Sequence, residues 1–463
     1  MDESKEYDLA IIGAGPAGYV AGIRASQLGL SACVIEKEKP GGVCLNIGCI
    51  PSKALIHQAT NFLAAGDLES IGITIDRSTL DYEKVFQKSR KASDTLSRGV
   101  SFLLKKNSVD LLPGTGTITG PNEVRVDGEA IKAKQILVAT GSRPIELPDF
   151  PVDEETVLTS NGALMLTELP EKLIILGGGV IGCEFAYVMN AFGVEVVVVE
   201  MLEQILPMED ADVAAQLAKS FKKSGIVIHT STKAAGMTKS KNGIELSLEP
   251  ASGDAFTESA DKLLVVIGRR PNTESIGLES VGIETEKGYI PVGDFFQTTT
   301  PSIFAVGDII RTTALAHVAS KEAEIVVEHI AGNNPESSID PNLIPNAIYT
   351  EPQIASFGLN EKQAKDQSVD FESVTFPYRG AGKSVAVEHP DGFVKLVFGP
   401  ETREILGAQI IGADATELIH EILLAKKAEL LPEDIATMIH AHPTLSEAVM
   451  EAHRAADGWA IHA

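Results

Sequence analysis

Two cysteines in the segment GGVCLNIGCIPSK, residues 41–53, are the residues of this chain best suited to redox chemistry. Cys44 and Cys49 stand at a spacing that suits a redox-active disulfide, but the same spacing allows two reduced thiols packed as small apolar side chains. A purely structural disulfide is the weaker interpretation, because closing so small a ring stabilises a fold by at most roughly 2 kcal/mol. A zinc site is disfavoured, because His57 is the single candidate nearby for a further ligand.

The end of the same segment favours a working redox pair. Pro51 suits the first turn of a helix, and Lys53, four residues after Cys49, shares a face with it if that turn is helical. A cation and a helix N-terminus each lower the pKa of a thiol. We therefore favour a redox pair over two inert thiols.

Composition limits the kinds of partner. The chain has 463 residues, 44% of them apolar, which predicts three or four domains with several cores. The 64 Asp and Glu against 39 Lys and Arg give a net charge of −25, which argues against nucleic acid or an anionic membrane as a partner. Four cysteines are too few for a secreted disulfide scaffold of this length.

Targeting and membrane signals are also weak. The first residues, MDESKEYD, are acidic and lack an apolar stretch, so we expect no signal peptide. The longest apolar region, residues 173–199, is interrupted by Glu184, Asn190 and Glu195, which favours a strand, turn, helix and strand over a bilayer span. We expect a soluble, cytoplasmic protein, and the sequence leaves open a mature mitochondrial matrix or plastid form.

A glycine-rich turn between two strands predicts a first dinucleotide site within residues 7–36. Gly13 of the turn GAGPAG allows the tight bend, Gly15 lets the backbone approach a pyrophosphate, and Gly18 lets helix and strand pack closely. The helix N-terminus faces the phosphates. Glu36, at the end of the second strand, would accept a hydrogen bond from a ribose hydroxyl.

The same unit recurs as GGGVIG, residues 177–182, followed by a strand that ends at Glu200. Gly177 and Glu200 stand 164 residues after Gly13 and Glu36, which makes this a domain-scale repeat. Two sites of like architecture suggest two different dinucleotides with electrons passing between them. The alternative is that one of the two units is a vestigial element of the fold.

Glu200 favours NAD over NADP at the second site. A carboxylate about 4 Å from a 2′-phosphate, at an effective dielectric near 20, would cost roughly 4 kcal/mol of binding free energy. Residues 201–205 offer no arginine that could accept such a phosphate.

Between the two units, the pattern predicts one long charged helix over residues 81–106. Its apolar residues are expected to cover the first sheet: Val85, Phe86, Leu96, Val100, Phe102 and Leu103. Farther along, residues 269–272, Arg-Arg-Pro-Asn, are expected to form a turn after a buried strand.

Two more places could carry chemistry. Asp308 follows a strand at residues 303–306, at the end of an open α/β sheet where ligands bind, although it could equally be a turn-forming residue after Gly307. His440 and His442 stand close to Glu447 near the C-terminus, and a histidine beside a carboxylate could form a proton-transfer pair, because the carboxylate orients the ring and raises its basicity. Either histidine could instead have a structural hydrogen-bonding role.

These patterns predict an α/β fold with two Rossmann-like dinucleotide-binding domains and a C-terminal α+β domain. We place the first nucleotide domain at residues 1–148 and the second at 149–270, with a boundary rich in proline and acidic residues near 144–156. Residues 271–341 are expected to form a central part that completes the first domain. Residues 342–463 form the C-terminal domain, in which strands alternate with helices.

Six kinds of motif together resemble the class I pyridine nucleotide-disulfide oxidoreductase family of flavoproteins. They are GGVCLNIGCIPSK, the two glycine-rich units, ATGSRP at 139–144, IGRRPN at 267–272, TTTPSIFAVGDI at 298–309 and HAHPTLSE at 440–447. The resemblance covers essentially the whole chain. It implies one tightly but non-covalently bound FAD per subunit, NAD as the second nucleotide, and no metal.

The resemblance also assigns individual positions. The first unit is expected to bind FAD, with contacts at Gly13, Gly15, Gly18, Glu36, Lys53, Gly116, Asp308 and Ala316. The second is expected to bind NAD, with contacts at Gly177, Gly179, Gly182, Glu200, Ala234 and Gly268. Glu184 matches the family's partner for the flavin-side lysine, here Lys53.

The implied activity is oxidation of protein-bound dihydrolipoyl-lysine to lipoyl-lysine, with reduction of NAD to NADH. His442, held by Glu447, is expected to remove a proton from the substrate, whose thiolate attacks Cys44 of a Cys44–Cys49 disulfide. Cys49 then becomes the thiolate next to the flavin. In this family the His–Glu pair comes from the other subunit, which implies a homodimer built through the C-terminal domain as dimerisation domain.

The implied partners are the lipoyl domain and acyltransferase core of a 2-oxoacid dehydrogenase complex, or the lipoyl carrier of glycine cleavage. Glutathione reductase and mercuric reductase share the fold but fit less well, because no arginines follow the second nucleotide strand and no cysteine follows Cys183. A different class of function is a binding or structural subunit with an idle redox centre. Five intact residues argue against it: Cys44, Cys49, Lys53, His442 and Glu447.

Overall fold

A computed structural model of the chain describes residues 6–240 and 243–462, so the first five residues of the acidic segment MDESKEYD lie outside the described part. The strands are β1 (Glu6–Ile12), β2 (Ala32–Glu36), β3 (Asp110–Pro113), β4 (Gly116–Gly120), β5 (Glu123–Val126), β6 (Glu129–Val138), β7 (Ser142–Pro144), β8 (Val157–Leu158), β9 (Lys172–Leu176), β10 (Glu195–Val199), β11 (Val227–His229), β12 (Thr232–Ser240), β13 (Gly243–Pro250), β14 (Phe256–Ala260), β15 (Lys262–Val265), β16 (Arg269–Pro271), β17 (Ile303–Ala305), β18 (Asn346–Ile348), β19 (Gln353–Gly358), β20 (Glu372–Pro377), β21 (Phe393–Phe398) and β22 (Ile405–Gly412). The helices are α1 (Pro16–Gln27), α2 (Gly42–Ile47), α3 (Cys49–Asp67), α4 (Tyr82–Lys106), α5 (Ser160–Leu164), α6 (Val180–Ala191), α7 (Ala211–Lys223), α8 (Ala316–Ile330), α9 (Glu361–Asp366), α10 (Gly382–Ala386), α11 (Ala415–Lys427), α12 (Pro432–Thr437) and α13 (Ser446–Ala456).

The first sheet contains the predicted strand–turn–helix–strand unit. Its strand order is β3-β2-β1-β6-β5-β4, and β17 pairs with β6 in parallel. β1 lies parallel between β2 and β6, and its side chains are buried from Leu9 to Ile12 because both faces of this part of the sheet are covered. The return of β17 brings residues 303–305 into the sheet of the first 150 residues.

The second sheet repeats the design with the order β11-β10-β9-β15-β8, and every pairing in it is parallel. The run Val196–Val199 of β10 is buried on both faces, as a central parallel strand requires. A separate antiparallel sheet has the order β12-β13-β14. Its outer strands, β12 and β14, were not predicted from the sequence. The segment expected to be a turn at 269–272 is instead strand β16, which pairs antiparallel with β7.

The C-terminal sheet is antiparallel, with the order β18-β19-β22-β21-β20. Helices α11 and α13 bury their apolar residues against it, which gives the α+β arrangement expected after residue 342. The predicted mixed α/β fold class is confirmed. The domain boundaries at 148, 270 and 341 stay predictions.

Helix α4 has the predicted position, and Val85 and Val100 are buried as predicted, but the rest of the predicted apolar face is not. Leu96, Phe102 and Leu103 are 43%, 63% and 40% exposed. The buried stripe instead combines apolar residues with three serines: Tyr82, Val85, Ser89, Ser93, Ser97, Val100 and Leu104. Small serine side chains let α4 approach α3 and α2 closely, so the helix packs mainly on the redox segment. Its C-terminal part still covers the first sheet, because Val100 and Leu104 belong to the core of that sheet.

Two hydrogen bonds fix α4 to that segment. Ser97 Oγ donates to the Pro40 carbonyl oxygen at 2.8 Å, and Arg90 donates to the Asn46 carbonyl oxygen at 2.8 Å. The helix therefore positions residues 40–53. Among residues 6–240 and 243–462, no helix is both long enough and apolar enough to span a membrane.

Candidate active site

The redox segment folds as two helices separated by one glycine. Cys44 lies in α2, Gly48 breaks the helix with φ −151° and ψ −119°, and Cys49 is the first residue of α3. A Cβ at Gly48 would lie 2.8 Å from the Val43 carbonyl oxygen, so the break requires glycine. Both cysteines are free thiols, and the break brings them within hydrogen-bonding distance of each other.

The two thiols have opposite electrostatic environments. The hydrogen bond from Cys44 lowers the pKa of Cys49 to about 7, and the positive charge of Lys53 adds to this effect, while burial and Glu184 work against it. The same hydrogen bond, together with burial, raises the pKa of Cys44. Cys49 is therefore the thiol of the pair that ionises first, and Cys44 is the proton donor to it.

Lys53 makes a close ion pair with Glu184 of α6. Lys53 Nζ lies 2.9 Å from each carboxylate oxygen, and the Glu184 side chain is 8% exposed. The backbone N–H of Tyr349 donates to the same carboxylate at 3.1 Å, and the Tyr349 ring lies 4.6 Å from Lys53 Nζ. The predicted Lys53–Glu184 contact is thus present, and it joins the redox helix to the second nucleotide unit.

The first glycine-rich turn has the geometry of a phosphate cradle. Gly13 has φ +107°, and a Cβ there would lie 2.3 Å from the Ala139 carbonyl oxygen. A Cβ at Gly18 would lie 1.8 Å from the Gly13 carbonyl oxygen, but one at Gly15 would meet no atom within 4 Å. Gly15 thus opens onto free space at the N-terminus of α1, where a pyrophosphate fits.

The second turn repeats these features residue by residue. A Cβ at Gly177 would lie 2.5 Å from the Val266 carbonyl oxygen, one at Gly182 would lie 2.0 Å from Gly177, and one at Gly179 would meet nothing within 4 Å. The open glycine again stands at a helix N-terminus, that of α6. A second pyrophosphate fits here as well.

The acidic residue that ends each unit has the same two backbone partners. Glu36 accepts from the N–H groups of Ala14 and Glu38, both at 2.8 Å. Glu200 accepts from those of Gly178 and Leu202 at 2.7 and 2.8 Å, which are the positions 164 residues later. Each carboxylate oxygen retains an acceptor site, so a ribose hydroxyl can still donate to it.

Three other predicted flavin contacts lie on elements of the first domain. Gly116 begins β4, and a Cβ there would crowd Ile12 and Ile35 at 3.2 Å. Asp308 follows β17, and Ala316 is the first residue of α8, which packs on α1. The two remaining residues predicted to contact NAD differ in setting: Gly268 has φ +139° beyond the end of β15, and Ala234 lies at a register shift of β12.

Asp308 belongs to a hydrogen-bonded network that the sequence did not reveal. Ser142 donates to the Asp308 carboxylate and accepts from Arg269 Nε at 2.8 Å. The buried carboxylate of Glu322 accepts from the Gly307 N–H at 2.6 Å. Burial lowers the pKa of Arg269, while Asp308 and Cys49 favour its charged form.

Sequence signals existed for some of these residues but not for others. Ser142 and Arg269 stand in the motifs ATGSRP and IGRRPN, which meet as the β7–β16 ribbon, although neither residue received a role from its motif. Tyr349 and Glu322 have no distinguishing local pattern. Their importance depends on contacts with distant segments.

The predicted His442–Glu447 pair is present. His442 Nδ1 lies 2.9 Å from Glu447 Oε1, and the Thr444 N–H donates to Glu447 Oε2 at 2.9 Å. Burial raises the pKa of Glu447, but the Thr444 N–H and the His442 ring outweigh it and hold that pKa below its ordinary value. The His442 side chain is 74% exposed, and within the described residues the pair makes no hydrogen bond to Cys44 or Cys49.

His440 has a structural environment instead. Its side chain is 3% exposed, with Nε2 2.7 Å from Glu421 Oε1 and Nδ1 3.2 Å from the Met438 carbonyl oxygen. Both ring nitrogens are occupied, so His442 is the histidine available to a substrate. In the described part of the chain, no group of three or more His, Cys, Asp or Glu residues is arranged to hold a metal ion.

This combination of a thiol pair and two nucleotide-binding units is found in a known class of protein. The family described as pyridine nucleotide-disulphide oxidoreductase matches residues 7–323, and its dimerisation domain matches residues 344–453. The chain therefore belongs to the pyridine nucleotide-disulphide oxidoreductase family. The predicted family membership is confirmed.

Individual relatives and solved structures are similar to this chain along nearly its whole length. The chain is 44% identical to a dihydrolipoyl dehydrogenase of Bacillus subtilis over 99% of both chains, and 42% identical to that of Geobacillus stearothermophilus over 100% of this chain and 98% of the relative. The crystal structure of LpdA from Mycobacterium tuberculosis has a TM-score of 0.89 at 28% identity, covering 97% of this chain and 99% of that chain. The HOCl-induced flavoprotein disulfide reductase RclA from Escherichia coli has a TM-score of 0.86 at 27% identity, covering 96% and 99%.

Proposed function

We propose that this chain is a dihydrolipoyl dehydrogenase, which oxidises the dihydrolipoyl group of a carrier protein and reduces NAD. The observation that carries the proposal is the polarised thiol pair, in which Cys44 donates to Cys49 at the start of α3 beside Lys53. It occurs in a chain that matches dihydrolipoyl dehydrogenases along its whole length.

The first nucleotide unit is proposed to hold FAD and the second NAD. The open space at Gly15 and Gly179 supports a pyrophosphate at each helix N-terminus. Glu36 and Glu200 would each take a ribose hydroxyl, and the Glu200 carboxylate would repel the extra phosphate of NADP. When bound, FAD supplies a two-electron carrier between the dithiol and NAD.

The thiol chemistry follows from the polarity of the pair. With Cys44 and Cys49 joined as a disulfide, His442 removes a proton from one dihydrolipoyl thiol, and the resulting thiolate attacks Cys44 Sγ. The Cys44–Cys49 bond breaks and Cys49 leaves as the thiolate, which its low pKa favours. The second dihydrolipoyl sulfur then displaces Cys44, so the substrate leaves as a disulfide and the enzyme keeps both electrons as a dithiol.

A homodimer is proposed to complete the site. The match to a dimerisation domain supports association through residues 344–453. Within the same residues, Ile439 is 96% exposed, Met438 46% and Leu424 69%, an exposure that a second copy would relieve. In such a dimer, each copy would present its His442 to the thiol pair of the other.

The substrate carrier is proposed to be the lipoyl domain of a 2-oxoacid dehydrogenase complex, with its acyltransferase core as docking partner, or the lipoyl carrier of glycine cleavage. The relatives named above are dihydrolipoyl dehydrogenases, and this reaction requires a lipoyl carrier. The net charge of −25 would favour a basic docking segment.

An anaerobic titration of the flavin-containing protein tests the proposal. Dihydrolipoamide should reduce the protein by two electrons, with a long-wavelength absorbance from the Cys49 thiolate beside the flavin. NAD should discharge that band, and NADP should not. Failure of dihydrolipoamide to reduce the protein, together with reduction by NADPH, would assign the chain to another disulfide reductase.

A further inference from the structure

The C-terminal sheet contains a buried row of polar side chains that runs across three strands. Ser356 of β19 lies opposite Gln409 of β22, and Gln409 lies opposite Lys395 of β21. The three residues are 6%, 2% and 3% exposed. Burying a lysine and an amide in a sheet is unfavourable unless each has a partner, so their partners indicate what the row is for.

Those partners come from the second nucleotide domain, from residues 208–212 at the start of α7. Ser356 Oγ donates to Glu209 Oε1 at 3.0 Å, and Gln409 Nε2 donates to Glu209 Oε2 at 3.3 Å. Lys395 Nζ lies 3.1 Å from Asp210 Oδ2 and 2.6 Å from Asp212 Oδ2. Every member of the polar row therefore contacts one short acidic segment.

The residues that begin α9 add further contacts to the same segment. Asn360 Nδ2 donates to the Met208 carbonyl oxygen at 2.9 Å, and the Glu361 N–H donates to Asp210 Oδ2 at 3.3 Å. The Glu361 carboxylate lies 3.3 Å from Lys395 Nζ, so the lysine has three carboxylate partners. The segment is thus held through both its backbone and its side chains.

The residues just before this acidic segment contact the second glycine-rich turn. The Leu206 N–H donates to the Gly178 carbonyl oxygen at 2.8 Å, and Gly178 in turn donates to the Glu200 carboxylate. Leu206 is 2% exposed and has φ +48°, a backbone conformation that a leucine keeps only where its surroundings hold it. Residues 200–212 therefore link the proposed ribose acceptor directly to the C-terminal sheet.

We propose that Ser356, Lys395 and Gln409 are positioning residues for the nicotinamide nucleotide: by anchoring residues 208–212, they hold Glu200 and the second glycine-rich turn in the binding conformation. The inference rests on the proposed use of NAD and extends it to residues that touch neither NAD nor the thiol pair. The C-terminal sheet then sets the affinity of a site in another part of the chain. Coupling between two such sites is typically about 5-fold to 150-fold in affinity.

The experiment uses the FAD-containing protein and compares three variants. Lys395→Met keeps the length of the side chain and removes its charge, and Ser356→Ala removes a single hydrogen bond to Glu209. Leu396→Ala is the matched control, because Leu396 is the next residue of β21 and points to the opposite face, into the core shared with α11 and α13. Turnover gives kcat and the KM for NAD, and reduction by dihydrolipoamide alone reports on the thiol pair.

We expect Lys395→Met to raise the KM for NAD by at least about 5-fold. Ser356→Ala should act in the same direction by a smaller factor. The rate of reduction by dihydrolipoamide should stay within about twofold, because the thiol pair lies outside the coupled segment. Leu396→Ala should lower the thermal unfolding midpoint and leave the KM for NAD within about twofold.

Amide hydrogen exchange at Leu206 gives a second readout that needs no NAD. Exchange should be faster by about 10-fold or more in Lys395→Met and near the native rate in Leu396→Ala. If the native protein does not use NAD, the proposed function fails, and Leu206 exchange still tests the anchoring. A folded Lys395→Met variant with native KM for NAD and native exchange at Leu206 would overturn the inference. An equal rise in KM in the control variant, Leu396→Ala, would also overturn it. If Lys395→Met does not fold, Ser356→Ala decides by the same two readouts.

Discussion

Replacing Lys53 with methionine should separate the role of this residue in stability from its role in catalysis. Lys53 Nζ lies 2.9 Å from both Glu184 oxygens, and the two side chains are 32% and 8% exposed. Two unit charges about 3 Å apart attract by about 5 kcal/mol at an effective dielectric near 20. Because Lys53 is partly exposed and Tyr349 still donates to Glu184, we expect Lys53→Met to lower the free energy of unfolding by about 2 kcal/mol.

Removing both charges should restore much of that stability. In Lys53→Met with Glu184→Gln, no carboxylate is left buried without its cation, so the free energy of unfolding should return to within about 1 kcal/mol of the native value. Urea unfolding of the four proteins in this double-mutant cycle gives the coupling energy. A double variant no more stable than Lys53→Met alone would show that the two charges do not act as a pair.

The four proteins of this cycle should rank differently in the pKa of Cys49 than in the free energy of unfolding. Lys53 lowers it and Glu184 raises it, and the effect of Lys53 is the larger. Because Lys53 is partly exposed, solvent screening limits its effect to about one pKa unit. The pKa should be lowest in Glu184→Gln, then about 7 in the native protein, higher in the double variant and highest, about 8, in Lys53→Met.

The thiolate of the reduced protein can be followed by its ultraviolet absorbance as the pH changes, with Cys49→Ser subtracted as the reference. A lowered pKa means that the thiolate is present above it and is lost as the pH falls through it. Near pH 7 the native protein should hold roughly half of Cys49 as thiolate, and Lys53→Met roughly a tenth. A Cys49 pKa in Lys53→Met at or below the native value would refute the assignment of Lys53 as the cation that stabilises this thiolate.

Three further outcomes can be measured on purified protein. Cys49→Ser should keep FAD bound and abolish turnover of dihydrolipoamide, and retained turnover would show that Cys49 is not part of the redox pair. His442→Gln should lower kcat by about 10²-fold or more, whereas a near-native rate would transfer the acid–base role to His440 despite its buried contact with Glu421. Gly15→Ala should fold normally, because its Cβ would meet no protein atom, but it should lose FAD, because the Cβ would occupy the space proposed for the pyrophosphate. Gly18→Ala should fail to fold, because its Cβ would lie 1.8 Å from a carbonyl oxygen. Flavin content and circular dichroism separate these two glycine variants, and full FAD content in folded Gly15→Ala would place the pyrophosphate elsewhere.

The local patterns of this sequence carried most of the information about its nucleotide units. A tight turn, an open glycine at a helix N-terminus and a strand that ends in an acid are all short-range features, so both units could be recognised without knowledge of the sheets. The i, i+4 spacing of Cys49 and Lys53 likewise depends only on the helix that contains both. The 164-residue repeat likewise depends on local patterns, and the structure shows it in the backbone contacts of Glu36, which recur at Glu200.

Predictions that depended on what packs against an element were less successful. Hydrophobic periodicity predicted that Leu96 and Phe102 of α4 are buried, but close contact with the redox helices buried a row of serines instead. The turn expected at Arg269 became a strand, because the backbone of β7 was available to pair with it. Periodicity describes one element, and a neighbouring element decides which of its faces is covered.

The sequence by itself determined the chemistry that the chain can perform: which residues form the thiol pair, where each nucleotide unit begins, and which acid ends it. Only the tertiary structure decided how those parts are held. The Tyr349 N–H meets a carboxylate 165 residues away, and Gln409 meets one 200 residues away, in contacts that no local pattern encodes. The physical reason is that a buried charge or amide needs a partner in space, and the fold alone determines which distant residue stands there.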